Sequence, residues 1–372
     1  MAKAKRIKGL NCKSVASAGI KLVLVTRFNE MYGFQQAALD WTDPEGVHSM
    51  RVASRRLRSV LRDFMPYLRK RPLAPALKQL RNLADALGEV RDLDVSIASL
   101  EKMASHAPAE VPAGLKHFID TKKQQREQAR EDLMPILEGD DLKELETEFL
   151  AGVDEATATR AGSPAITFLT MSQEIILERL KEFEALSNGL LNPFEVETLH
   201  DLRIAAKRLR YALELFQQCW GQSLSGYAKR IARIQGALGD LHDCDVWIEG
   251  LGKPIINARK HRQADQVAAL MWLLYHLVKL RTKHLRHAFA RWREWETHEA
   301  SEKLRAALSN RARTLRLGPA WSVGNKNLAA PEHARVDRKG ARSKQGDDGG
   351  QHDHVEHSLI GIEGKDNEAA GS

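Results

Sequence analysis

The sequence predicts an all-α protein made by tandem duplication, and three observations carry that expectation. Apolar residues make up 43% of the 372 positions and aromatics only 6%. The apolar set is mostly Leu and Ala, which favours helices over sheets. Apolar residues recur at helical spacing, and no run of four to eight alternates convincingly as a strand. Finally, two sequence blocks occur twice, in the same order and at nearly equal spacing.

The first block reads V-H-S-M-R-V-A-S-R-R-L-R-S-V-L-R-D-F from Val47 to Phe64 and returns as L-H-D-L-R-I-A-A-K-R-L-R-Y-A-L-E-L-F from Leu199 to Phe216. The second reads L-G-E-V-R-D-L-D-V from Leu87 to Val95 and returns as L-G-D-L-H-D-C-D-V from Leu238 to Val246. Two matched blocks in order indicate a duplication, with repeat 1 at about 20–150 and repeat 2 at about 165–300. Helix-start signals precede both copies of the first block. Thr42-Asp43-Pro44-Glu45 supplies a cap, a proline and an acid, and Asn192-Pro193-Phe194-Glu195 is read in the same way. The block histidines are thus expected about one turn inside their helices. The Leu-Gly pairs of the second block read as helix breaks, after which the acids cap a helix or pair with arginines.

Other segments differ in composition. Residues 1–19 form a basic N-terminal segment, interrupted by charge too often for a signal peptide. Between Glu138 and Pro164 the chain turns acidic and then Ala/Gly/Thr-rich, as a partly helical connector would. From Gly318 onward, 55 residues hold nine of the 25 glycines, which predicts a disordered tail after a short helical remnant from 301. The tail run His352-Asp353-His354 with His357 is read as chance in a solvated segment rather than a metal site. The most apolar stretch, Ala268–Val278, is too short to span a membrane and contains His276. Cys12, Cys219 and Cys244 form neither a disulfide framework nor a metal-knuckle spacing, so a cytoplasmic location with free thiols is expected.

Net charge is +8, which favours anionic partners without naming one. The first block concentrates that charge. At 100° per residue, His48, Arg51, Arg55, Arg58 and Arg62 fall within roughly 80° of one another, while Leu57, Val60, Leu61 and Phe64 point the other way. Residues 48–71 carry eight Lys or Arg and one acid, Asp63. Ordinary solvated faces mix signs at four-residue spacing because like charges repel there, so a stripe of one sign points to an anionic ligand. His200, Arg203, Lys207 and Arg210 repeat the stripe, with Glu214 replacing the last arginine, and Arg56 and Arg208 flank it. Arginine forks meet phosphate oxygens with two parallel hydrogen bonds, and the paired histidines donate or carry charge. Lys78 and Lys229, which match across the repeat, and Arg81, Arg126, Arg130 and Arg233 are candidates for the same surface.

These blocks closely resemble those of the CHAD family, the conserved histidine α-helical domains, over roughly residues 20–300. The resemblance implies two pseudo-symmetric four-helix bundles sharing a basic, histidine-containing groove or pore that binds inorganic polyphosphate. It places His48, Arg51, Arg55 and Arg58 with His200, Arg203, Lys207 and Arg210 in that groove, and recruitment to polyphosphate granules would follow. Many members also follow a triphosphate tunnel domain with an E-x-E-x-K signature, which does not occur here. No catalytic residue, metal or cofactor is expected. Asp92, Asp94, Asp243 and Asp245 carry the rival reading, a metal-dependent phosphohydrolase; an exposed histidine among arginines carries another, a phosphotransfer module. A generic nucleic-acid-backbone binder is a third, disfavoured as the main role because Tyr211 alone interleaves the stripe with an aromatic ring.

Overall fold

A computed structural model describes residues 6–158 and 166–317, and the predicted tail from Gly318 lies outside the described residues. Twelve helices follow in order: α1 Ala16–Tyr32, α2 Gln35–Ala38, α3 Pro44–Phe64, α4 Ala74–Ser105, α5 Val111–Glu138, α6 Asp141–Thr157, α7 Phe168–Leu186, α8 Val196–Trp220, α9 Ser225–Gly250, α10 Gly252–Lys260, α11 Ala264–Thr297 and α12 Ala300–Leu317. The only extended pairing among the described residues is a single antiparallel bridge between Val15 and Thr167. No helix there is long and apolar enough to cross a membrane.

The start of α3 follows its sequence signal. Asp43 accepts a hydrogen bond from the Glu45 amide at 2.9 Å, Pro44 opens the helix and Glu45 sits in its first turn, where a carboxylate suits the helix dipole. The second copy departs from the expectation. Glu195 rather than Asn192 precedes α8, and its side chain makes no capping hydrogen bond. Both histidines nevertheless fall at the fifth helical position. Two glycines are required by close approach. A Cβ on Gly46 would lie 1.7 Å from the Ala37 carbonyl oxygen of α2, and one on Gly114 would lie 2.5 Å from the Asp265 carbonyl oxygen of α11.

One expectation about helix ends is corrected. The Leu-Gly pairs do not break helices: α4 and α9 run straight through Leu87-Gly88 and Leu238-Gly239. The acids that follow therefore cap nothing. The acidic connector is partly helical, as its sequence suggests: it contains α6, whose Leu142, Leu145, Phe149 and Val153 are buried. Its apolar positions at helical spacing outweigh its charge.

The apolar interior cuts across the halves. Phe64 of α3, Phe168 of α7 and Phe216 of α8 form an aromatic triangle with centroids 5.7–6.3 Å apart, close enough for ring quadrupoles to add to burial. They belong to a large cluster that also takes in Phe28, Phe149, Phe183, Trp220 and Trp295. A smaller cluster joins Leu100, Met103, Leu115 and Ile119 of α4 and α5 to Cys244, Leu270, Leu273 and Leu277 of α9 and α11.

The N-terminal segment is stitched to the second half. Cys12 and Cys219 form a disulfide, which overturns the expectation of free thiols; only Cys244 is free, buried, with its thiol pushed up to about 12 chiefly by burial and then by Asp243. Beside the bridge, Gln218 donates to the Ile7 carbonyl at 2.7 Å. Main-chain hydrogen bonds link Ser14 with Phe168 and Ala16 with Ile166.

Candidate functional site

The motif helices α3 and α8 pack on each other and bury one flank each: Leu57, Val60, Leu61 and Phe64 on α3, Leu202, Ala206, Leu209 and Phe216 on α8. Helical geometry then leaves the basic residues of both blocks along the opposite flank. The two stripes lie within electrostatic reach of one another. Arg203 and Arg55 depress the ammonium of Lys207 together with Arg62 and Arg208, burial being the largest cause, and the pKa falls to about 7. Burial likewise lowers Arg51, whose cationic neighbours are Arg55, Arg91 and Arg203. Arg203 is lowered by burial and Arg55 and sustained by Asp243 and Asp92. Arg62 is lowered by burial and by Arg208.

Few carboxylates relieve this crowding. Arg51 donates to Asp92 at 2.8 Å and Arg58 lies 3.7 Å from Asp85, both acids on α4. Among the described residues no ion pair within 4.0 Å reaches Arg55, Arg62, Arg203 or Lys207. The Nε atoms of Arg55 and Arg203 and the Nδ1 of His48 are buried without a hydrogen-bond partner. Burying polar groups unsatisfied costs roughly 1–3 kcal/mol each, and crowding like charges adds to that. Such a surface carries positive charge that its own carboxylates only partly offset. The single acid of the first block faces elsewhere: Asp63 is buried against Arg179 of α7 at 3.1 Å, and burial pushes its carboxyl up to about 6.

The histidines sit at the start of each motif helix. Burial, then Arg91, Arg55 and Arg51, lowers His48 to about 4. His200 is lowered by burial and Arg203, and its Nδ1 lies 3.1 Å from Nδ1 of His242 on α9. His242 itself is lowered to about 4 by burial, Arg203, His200 and Lys207. These imidazoles are therefore neutral at neutral pH.

The remaining sequence candidates are placed differently. Arg56 and Arg208 turn to carboxylates of the helices beneath, Glu30 of α1 at 3.7 Å and Glu182 of α7. Arg210 lies over the Tyr211 ring at 4.9 Å and 3.4 Å from Glu214, so the second stripe is shorter than the first. Arg126 and Arg130 of α5 lie 3.8 and 3.7 Å from Asp94 and also contact Glu127. Asp245 is held by Arg281 of α11, which also donates to the Pro193 carbonyl at 2.7 Å. Lys78, Arg81 and Lys229 are exposed, with no described ion pair to either stripe. Arg233 lines a separate depression with Arg230, Arg291, Glu294, Trp295 and His298. Sequence reading left out Arg91 and His242, which the second block carries to the histidine ends of the site. Their shared block position, four residues after the leucine that opens the block at 87 and 238, is the signal that could have found them.

The chain is all-helical among the described residues, with two histidine-headed helices, α3 and α8, packed side by side. The CHAD domain family model matches residues 24–252, more than half of the chain, and the protein belongs to that family. Among solved structures, it is similar to the CHAD domain from the plant Ricinus communis, with 22% identity, a TM-score of 0.59, and coverage of 77% of this chain and 94% of that one. It is also similar to PptA from Streptomyces chartreusis, with 17% identity, a TM-score of 0.57, and coverage of 74% and 100%. At these identities the likeness is one of fold. No curated protein matches the chain.

Proposed function

We propose that the protein binds inorganic polyphosphate along the joined stripes of α3 and α8, as a binding module rather than an enzyme, and that this binding recruits it to polyphosphate granules. One observation carries the reading: Arg55, Arg203 and Lys207, all partly buried, share one surface with exposed Arg62, and among the described residues none of the four has a carboxylate within 4.0 Å. A repeating polyanion answers every one of these cations with the same chemistry, and arginine forks suit its oxygens. Linked sites reward a ligand that spans them. Asp92, Asp94 and Asp245, the groups a phosphohydrolase would need, are engaged by Arg51, Arg126, Arg130 and Arg281. Among the described residues no three His, Cys, Asp or Glu side chains are grouped to hold a metal.

The test is a titration at fixed salt with long-chain polyphosphate, orthophosphate, ATP and duplex DNA. Long chains should bind far more tightly than orthophosphate or ATP, and DNA should compete poorly. Equal affinity per mole for short and long ligands would refute the two-stripe reading, and equal competition by DNA would favour a generic backbone binder.

A further inference from the structure

The two histidine ends of the site are built differently. At the first, His48 faces Arg91, a permanent cation. At the second, the corresponding position of the block is His242, and the ring of His200 stands 4.3 Å from it, with the two Nδ1 atoms 3.1 Å apart. That separation is an N–H···N hydrogen bond, so one Nδ1 carries the shared hydrogen and the other accepts it. In the neutral pair the accepting ring has its hydrogen on Nε2, whereas the donating ring has a bare Nε2 lone pair. Toward an anion, the neutral pair thus offers one donor and one repelling lone pair. Adding one proton to the bare Nε2 makes both Nε2 atoms donors and leaves one positive charge on the pair, with the Nδ1 hydrogen bond intact.

We infer that the His200–His242 pair takes up one proton when a phosphate group of the ligand docks at this end of the site, so that binding there is proton-coupled while the Arg91 end is not so gated. The inference rests on the polyphosphate reading above. The groups facing the pair support it. On α8 these are Asp201, Arg203 and Lys207; on α9, Asp243 is the neighbour in sequence. From α3, Arg55 and Arg51 reach it through Arg203. On α11, Arg281 is tied to Asp245 and His284 lies 3.6 Å from Asp240. Burial first, and then Arg203 and Lys207, keep the pair neutral until an anion arrives. A polyanion reverses that balance and raises the pair's affinity for a proton. The sign is then fixed: affinity is flat above the bound-state pKa, rises as pH falls below it, and levels off below about 4, where free His242 is itself protonated. Within that window one coupled proton gives about a tenfold gain per pH unit.

Lys207 also titrates near 7, so the deciding measurement is made at pH 5.5, where it is already charged. Calorimetric titration of the full chain with long-chain polyphosphate, run in two buffers of different ionisation enthalpy, counts protons taken up. His242→Arg reproduces the arginine of the first half, and His242→Gln is the companion should the arginine variant fold poorly. Wild type is expected to take up about one proton more than either variant. His242→Arg should also bind more tightly than wild type at pH 8, with the two converging toward pH 5. Equal proton uptake by wild type and both variants would overturn the inference while leaving polyphosphate binding in place. Absence of long-chain binding at any pH would overturn the underlying reading, and this inference with it.

Discussion

Lys207 allows the repulsion among the crowded cations to be measured. Burial and four arginines bring its ammonium from the ordinary 10.5 to about 7. Between those values the unfolded chain holds a proton that the folded chain gives up. Stability should therefore rise with pH through that window, with the penalty fully present below pH 7 and gone above 10.5. The full shift corresponds to at most ~5 kcal/mol. Water reaches the partly exposed side chain and salt screens its neighbours, which reduces the expected opposition to folding to about 1–3 kcal/mol. Lys207→Met keeps the aliphatic stem and removes the charge. At pH 6 it should be more stable than wild type by that amount in urea unfolding at constant ionic strength, and the gap should close toward pH 10. Its affinity for long-chain polyphosphate should fall. A variant less stable than wild type at pH 6, or a gap that does not change with pH, would mean that Lys207 is held by attraction, and the argument from crowded cations would fail.

Arg55→Ala should weaken polyphosphate binding and reduce the log–log salt slope by roughly one, since one fewer counterion is released; an unchanged slope measured by titration across salt would remove Arg55 from the site. Asp92→Asn frees Arg51 from its 2.8 Å partner and should tighten binding by ~1 kcal/mol, whereas a metal-site role predicts loss of a phosphate-releasing activity, read by phosphate assay with Mg²⁺ or Mn²⁺. Reduction of Cys12–Cys219, which closes a loop of 207 residues, or Cys12→Ser, should cost about 2–5 kcal/mol in unfolding midpoint experiments; identical midpoints with and without reductant would count against a stabilising bridge.

The parts legible in the sequence were those written in local periodicity. Leu57 and Phe64 against Arg51, Arg55 and Arg58 give an amphipathic helix in either reading direction, and Asp43-Pro44 announces its start. What stayed hidden depends on approach in space. Cys12 and Cys219 are far apart in the chain, and nothing in their spacing tells that α8 ends beside the N-terminal segment. Gly88 looked like a stop, yet α4 continues through it, and a Cβ there would meet Arg51 Nε at 3.8 Å, an ordinary contact distance. Arg233 was counted with the stripe because basic residues on a neighbouring helix cannot be assigned to a face without the packing. The His200–His242 contact joins two helices whose relative register no single-helix pattern contains.

The interior that ignores the repeat boundary has a consequence for how the chain is made. During synthesis α1 to α6 emerge first, but the apolar ends of α4 and α5 are completed by α9 and α11, and Phe64 finds its ring partners in α7 and α8. The first half leaves the ribosome with an uncovered sticky flank and must wait for the second. A chain cut within residues 159–165 should accordingly yield two fragments that are poorly ordered alone and regain structure on mixing.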